Sequence, residues 1–318
     1  MASDMAAIDT SNDTSHATCL SDLAQKQDYN RSWQFFAYGS HTSGNKPSQD
    51  NGAASSTSTS NGFTVGANNQ ISEDWNIGAV LGYDDGTTSS ADGAGTTTAK
   101  SYSANLYAGY TIDSARHWLV SGDLGFAATS YDGTRSNADL NNGTATSSTT
   151  GTTINAAIQT GYKFDVWNGA QVMPLAGLTY TNSSVGATTE SLPSAQGLAL
   201  AYDKSTTSTC ETVVGAELAQ RFTVQDGFFI TPSARLAWHH QLNNNQDSAV
   251  STHFVGDPTN SFNTYLQTAN SDAVSIEVGV AAQFEKNWKV FANLRDYKEL
   301  GSGGSNEVGV GAGVQYSF

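Results

Sequence analysis

Few side chains in this sequence could make or break covalent bonds, and their spacing builds none of the familiar catalytic devices. The chain of 318 residues holds 6 His and 2 Cys. It contains no Gly-x-Ser-x-Gly turn to lift a serine nucleophile, no His-Glu-x-x-His pair for zinc and no Cys-x-x-Cys. His239 and His240 are adjacent, so in a strand one projects inward and the other outward, and the two cannot clamp a metal from one side. Acidic pairs such as Asp84-Asp85 could take Ca²⁺, but in a polar loop they serve solvation first. Cys19 and Cys210 could pair in an oxidising compartment, yet strand parity turns Cys210 outward near one rim, and two unpaired thiols are the plainer expectation. No metal site, cofactor or catalysis is therefore predicted. A hydrolase using the Ser, Asp and His of the loops stands as an alternative.

The remaining ionisable groups gather on one parity of alternating segments: Asp123, Lys163, Asp165, Glu211, Glu217, Arg221, Arg235, Glu277, Lys289, Arg295 and Glu307. Facing a wet interior, they would either grip a chain lying there or solvate the wall and pair across neighbouring strands. Glycines at 78, 109, 125, 161, 177, 215, 279, 309, 311 and 313 share that side and are expected to leave room for an inserted helix or for water.

The elements that must carry these residues are strands. Val308, Val310, Ala312, Val314, Tyr316 and Phe318 alternate with Gly309, Gly311, Gly313, Gln315 and Ser317, and strand side chains repeat every two residues. One face is greasy and the other nearly bare, as in a strand between lipid and a wet lumen. About twelve such segments follow one another, at roughly 32–40, 60–69, 74–83, 101–112, 117–131, 152–165, 171–182, 209–222, 227–241, 273–284, 287–297 and 306–318. Most are near the ~10 residues that a tilted strand needs to cross a bilayer. Trp33 to Gly39 is apolar on both faces, so its sides cannot be assigned. Pro174 and Pro232 sit awkwardly inside strands.

Long polar connections alternate with tight turns. His41 to Thr59, Asp132 to Gly151 and Asn243 to Asp272 are long; Ile71 to Glu73 and Asn168 to Ala170 are short. Trp33, Trp75, Trp118, Trp167 and Trp288 fall at the short-turn ends, and Tyr83, Tyr102, Tyr131, Tyr180, Trp238 and Tyr297 at the long-loop ends. Amphipathic rings prefer the headgroup level, so two belts are expected. The fold class predicted is all-β: a twelve-stranded antiparallel transmembrane β-barrel with an N-terminal helix or linker in the lumen.

Composition agrees. Apolar residues make up 38% and charged residues 14%, with 31 Gly, which is little to build a dry core from. No stretch approaches the ~20 apolar residues of a spanning helix. A formal charge of -15 excludes nucleic acid as a partner, because phosphate binding needs clustered cations. Met1 to Thr10 lacks the basic start and apolar run of a secretory signal. Cys19, Leu20, Leu23 and Ala24 lie at helical spacing, which divides the chain into a linker over 1–31 and a barrel over 32–318.

In order along the chain, Trp33 through Tyr38-Gly39, Asp74-Trp75-Asn76-Ile77-Gly78 with Leu81-Gly82-Tyr83, Met173-Pro174-Leu175-Ala176-Gly177-Leu178-Thr179-Tyr180, Thr231-Pro232-Ser233-Ala234, Glu285-Lys286-Asn287-Trp288 and Gly313 to Phe318 resemble the translocator domain of the autotransporters of Gram-negative bacteria. The resemblance implies a monomeric barrel in the outer-membrane bilayer, with external long loops and with short turns and C-terminus in the periplasm. It implies a lumen helix leading to an N-terminal passenger, and a last strand (Val308, Val310, Ala312, Val314, Tyr316, Phe318) read by the barrel-assembly machinery. Some relatives cut themselves after an Asn in the linker, for which Asn12-Asp13 is the nearest candidate. A passenger-less porin or surface-loop adhesin is the alternative function.

Overall fold

Alternation of bulk and glycine along each segment is satisfied by pairing every strand on both sides. The computed structural model describes residues 33–48, 54–90, 95–112, 117–136, 143–243, 249–265, 270–284 and 287–318. Twelve antiparallel strands form the wall: β1 (Trp33–Lys46), β2 (Ser56–Gln70), β3 (Trp75–Ser90), β4 (Gly95–Thr111), β5 (Trp118–Ser136), β6 (Thr144–Tyr162), β7 (Ala170–Val185), β8 (Ser205–Gln220), β9 (Phe228–Gln241), β10 (Asp272–Phe284), β11 (Trp288–Glu299) and β12 (Asn306–Ser317). Each pairs with its neighbours in sequence, and β12 returns to β1 in a register running from Gln34↔Ser317 to Asn45↔Asn306. The ring is closed, so no wall edge is left to recruit another chain.

Outward positions are apolar and uncovered. Leu81, Leu106, Leu124, Ile158 and Leu236 all lie exposed on the outer parity, the reverse of a soluble core. On the β3–β4 hairpin Trp75 packs on Tyr110 and Tyr83 on Tyr102, with centroids 4.7 and 5.2 Å apart. Eight residues separate the two ring pairs, about 26 Å along a strand and about 20 Å in height after tilt, so the rings bracket most of the ~25 Å apolar band of such barrels. Two of the expected belt residues belong elsewhere. Tyr131 is buried on the inner parity of β5, and Tyr297 is inward on β11, edge-on to His239. Position near a strand end suggested a belt, but parity decides the face.

Most strands on the long-loop side run several residues past the segments expected from hydrophobicity. β3 extends to Ser90, β5 to Ser136, and β6 begins at Thr144. The added residues are chiefly Ser and Thr, paired across the strands as Thr87↔Thr98, Thr88↔Thr97 and Thr96↔Thr134. Thr suits a pleated surface, and hydroxyl pairs such as Thr153 with Ser183 at 3.0 Å add cross-strand bonds. The period of two persists without an apolar signal to reveal it, so the connecting loops are shorter than expected. The wall thus carries a hydrophilic collar above the apolar band.

The prolines fall where the ladder is already interrupted. β6 pairs with β7 up to Gly161↔Leu175, and pairing resumes at Phe164↔Val172, with Pro174 in the gap. The expected strand over 152–165 is therefore two pieces, and Lys163 N donates to His117 O instead. Pro232 likewise follows the last β8–β9 pair, Ala219↔Ser233, while its β10 side continues as Pro232↔Val280. Each proline thus sits where pairing on one side of its strand is already interrupted. Asn168 and Gly169 have φ of 47° and 77°, as a two-residue hairpin turn requires, and Ala170 N closes it on Trp167 O.

A second sheet stands at the long-loop mouth. Its strands run in the order Asp257–Tyr265, Ala249–Phe254, Leu200–Tyr202 and Thr188–Thr189, all antiparallel. It is tied to the collar by a bridge between Thr146 and Ser191, and Leu192 and Ala199 bury Ala145 on the inner parity of β6. The sheet therefore lies on the lumen side of the collar, as a roof.

Candidate functional site

The inner wall is the surface that any passing or resident chain would meet. Glycine opposite an aromatic ring is its recurrent packing unit. Phe36 lies over Gly66 and Tyr107 over Gly78, while the Tyr38 ring covers Gly311 and stacks on Phe291 with centroids 5.9 Å apart. Tyr38 Oη donates to Asn293 Oδ1 at 2.9 Å. Added Cβ atoms at Gly311 or Gly78 would sit inside these rings. Several of the inner glycines thus seat side chains of the wall itself, which corrects the expectation that they leave open space. The first strand, whose faces could not be assigned from sequence, turns Trp33 and Phe35 outward and Gln34 and Phe36 inward.

Two unlike surfaces share the wall. Leu119, Met173, Leu175, Val213 and Ala237 form a buried apolar cluster on the inner parity of β5 and β7–β9. Across β8–β11 a row of charges alternates in sign, because register pairs Glu217 with Arg235, Arg235 with Glu277 and Glu277 with Arg295. Glu277 Oε1 also accepts from Asn293 Nδ2 at 2.9 Å, and the Arg295 guanidinium lies 5.5 Å from the Tyr297 ring. Cross-strand charges of opposite sign stabilise the pairing, and like charges at those positions would oppose it.

The other ionisable residues expected in the lumen take varied places. Asp123 is inward and accepts from Asn155 Nδ2 at 3.1 Å. Lys163 is buried at the break in β6, while Lys289 and Glu307 are half-buried on the inner parity. Glu211 is inward and 2.8 Å from His239 Nδ1, whose Nε2 is 2.9 Å from Ser275 Oγ. Asp165 and Arg221 depart from the expected wall. Asp165 is exposed at the short-turn rim, held by Gln171 Nε2 at 3.0 Å, and Arg221 is exposed with its guanidinium 3.8 Å from the Phe229 ring. Parity carries along an unbroken ladder but not across a break: Asp165 stands just beyond the one at Lys163, in the short paired piece Phe164–Asp165, and Arg221 stands at the one between Gln220 and Phe222. Asn12, Asp13 and Cys19 lie outside the described residues. Cys210 is on the outer parity and unbridged among them.

The last strand sets Val308, Val310, Ala312, Val314, Tyr316 and Phe318 outward. Phe318 N donates to Trp33 O, and its ring meets Phe35 and Tyr316 edge-on at 5.5 and 4.7 Å. Trp288 closes against Tyr316 at 4.7 Å, so an aromatic cluster marks the seam between the chain's first and last strands.

Hydrophobic periodicity gave no hint of the ion pair that holds the roof. Arg135 donates through Nε to Glu190 Oε1 at 2.9 Å and through Nη2 to Oε2 at 2.5 Å. Glu190 is fully buried and also accepts from Leu200 N and Tyr202 Oη. The hydrogen bond to Glu190 outweighs burial and holds Arg135 above its ordinary pKa. On the exposed hairpin, Asn260 and Thr259 donate to Asp257 and hold its carboxyl below the usual range. Among the described residues no group of His, Cys, Asp and Glu could hold a metal ion.

The architecture matches solved autotransporter barrels. Over 100% of both chains it is similar to the translocator domain of autotransporter NalP from Neisseria meningitidis, with TM-score 0.72 and 17% identity. Over 91% of this chain and 100% of the other it is similar to the beta domain of the Bordetella autotransporter Brka, with TM-score 0.66 and 17% identity. The transport unit of AIDA-I from Escherichia coli gives TM-score 0.57 at 13% identity over 92% and 93% of the two chains. No curated protein sequence matches the chain. The family model for the autotransporter beta-domain matches residues 30–295, most of the wall described above. That family consists of translocator barrels of the outer membrane and is not an enzyme family, and this chain belongs to it.

Proposed function

We propose that this outer-membrane translocator domain anchors and helps export an N-terminal passenger through or along its own lumen. The observation that carries the reading is the two-sided inner wall, apolar at Leu119, Met173, Leu175 and Val213 and charged from Glu217 to Arg295. The alternating charges offer a segment in the lumen polar partners, beside an apolar cluster that is itself buried. Residues 1–31 supply the linker and residues 32–318 the barrel. The lumen groups Asp123, Lys163, Glu211, Lys289 and Glu307 extend the polar side. The long loops and the roof face the exterior, and the short turns and C-terminus face the periplasm. The barrel acts as a monomer, since its closed ring offers no edge for strand pairing. The outward face of β12, ending at Phe318, is the surface that the barrel-assembly machinery reads.

Planar-bilayer conductance tests this. The full chain should pass small, fluctuating currents, and a variant lacking Met1 to Gln27 should pass larger ones. Large steady currents that do not change on that deletion would establish a porin instead.

A further inference from the structure

Three consecutive strands, β8, β9 and β10, align Glu211, His239 and Ser275 in one hydrogen-bonded line near the long-loop end of the lumen. His239 Nδ1 is 2.8 Å from Glu211 Oε1, and His239 Nε2 is 2.9 Å from Ser275 Oγ. Register produces the line. His239 stands opposite Val213 and Ala273, so Glu211 and Ser275 are its diagonal neighbours, within reach of long side chains. Ala237 and Ala273, the small residues directly opposite Ser275 and His239, give the imidazole room to lie across the strands. Tyr297 meets the ring edge-on at 5.5 Å and fixes its plane.

The protonation pattern follows from the donors available. A carboxylate only accepts, so Nδ1 donates to Glu211, and in that neutral tautomer Nε2 is the nitrogen that accepts the Ser275 O–H. His239 and Ser275 are both largely buried on the inner parity of their strands. A serine that needed only a partner could donate to a nearby carbonyl. Alignment on a histidine already oriented by a carboxylate is what nucleophilic acyl transfer requires.

We propose that this line is an acyl-transfer site for an ester or amide carbonyl presented in the lumen. Ser275 is the nucleophile, His239 its base and Glu211 the positioning residue. Ser275 Oγ bonds to the carbonyl carbon as its proton passes to Nε2. The bond to the leaving alcohol or amine then breaks, and that group takes the proton from His239. Water, deprotonated by His239, next attacks the ester on Ser275, releases the acid and restores the hydroxyl. The site rests on the translocation reading only for its substrate, a carbonyl on a chain lying in the lumen.

The test treats the full-length protein in detergent with an alkyl fluorophosphonate and maps adducts by peptide mass spectrometry. Ser275 Oγ attacks phosphorus, its proton goes to His239, and fluoride leaves. Wild type should carry the adduct on Ser275. Folded His239→Ala, checked by heat-modifiable migration, should label at least about 100-fold more slowly, the scale of lost general-base catalysis. Glu211→Gln serves where that variant does not fold. No adduct on wild-type Ser275, or undiminished labelling of Ser275 in the folded variants, overturns the proposal and leaves a simple hydrogen-bonded network. Labelling does not read export and conductance does not read labelling, so the two proposals fail separately.

Discussion

Arg135 shows how much one side chain can hold in place at the mouth of this barrel. Its two bonds to Glu190 join the top of β5 to the segment carrying the roof, and Glu190 has no route to water. Removing one partner of such a pair leaves the other charged and buried, at a cost of about 3 kcal/mol. Arg135→Ala should therefore loosen residues 186–204 while the wall stays closed. Hydrogen exchange read peptide by peptide should show faster exchange there and an unchanged lower wall; equal protection in both proteins would mean the pair does not hold the roof. This pair was not legible in the sequence. Arg135 and Glu190 sit 55 positions apart, amid Ser, Thr and Gly that display no hydrophobic period. The line from Glu211 to Ser275 was hidden for a different reason: the inward parity of His239 was readable, but its two diagonal partners depend on the stagger between three strands.

Strands were the legible level, because lipid on one side and side-chain packing on the other write a period of two directly into the residues. Val308 to Phe318 shows it without interruption, as do Trp75 to Tyr83. The same rule missed the collar, since Ser and Thr alternate with Ser and Thr. It also misjudged the inner glycines, because a period says which way a residue faces and nothing about what faces it. Gly311 and Gly309 of β12 separate those two ideas. A Cβ at Gly311 would meet the Tyr38 ring, whereas one at Gly309 would touch Thr42 Oγ1 only at 3.5 Å. Gly311→Ala should destabilise the barrel by about 1–3 kcal/mol through overpacking, while Gly309→Ala should stay within about 0.5 kcal/mol. Urea unfolding in detergent micelles reads the difference, and equal midpoints would refute the ring-over-glycine account. The prolines, awkward in sequence, became intelligible only once the breaks at Lys163 and Arg221 were seen.

Taken whole, the molecule inverts a soluble protein: its bulky apolar side chains face out and its inner wall mixes rings, amides and charges. Leu124 tests that inversion, since it is 64% exposed midway along the apolar band. Leu124→Arg should cost about 2–4 kcal/mol of stability in lipid, as expected for a cation at the bilayer midplane. Folding titrations in phospholipid vesicles should show this, and a soluble barrel would be indifferent to the change. The collar adds a dimension that the apolar band alone does not have. From Ile154, the last large apolar outward residue of β6, the strand continues ten residues to Thr144, about 33 Å along its length and about 25 Å in height after tilt. Headgroups of the bilayer would wrap this hydroxyl-studded chimney rather than its opening, so in the orientation proposed above the mouth stands well away from the lipid tails.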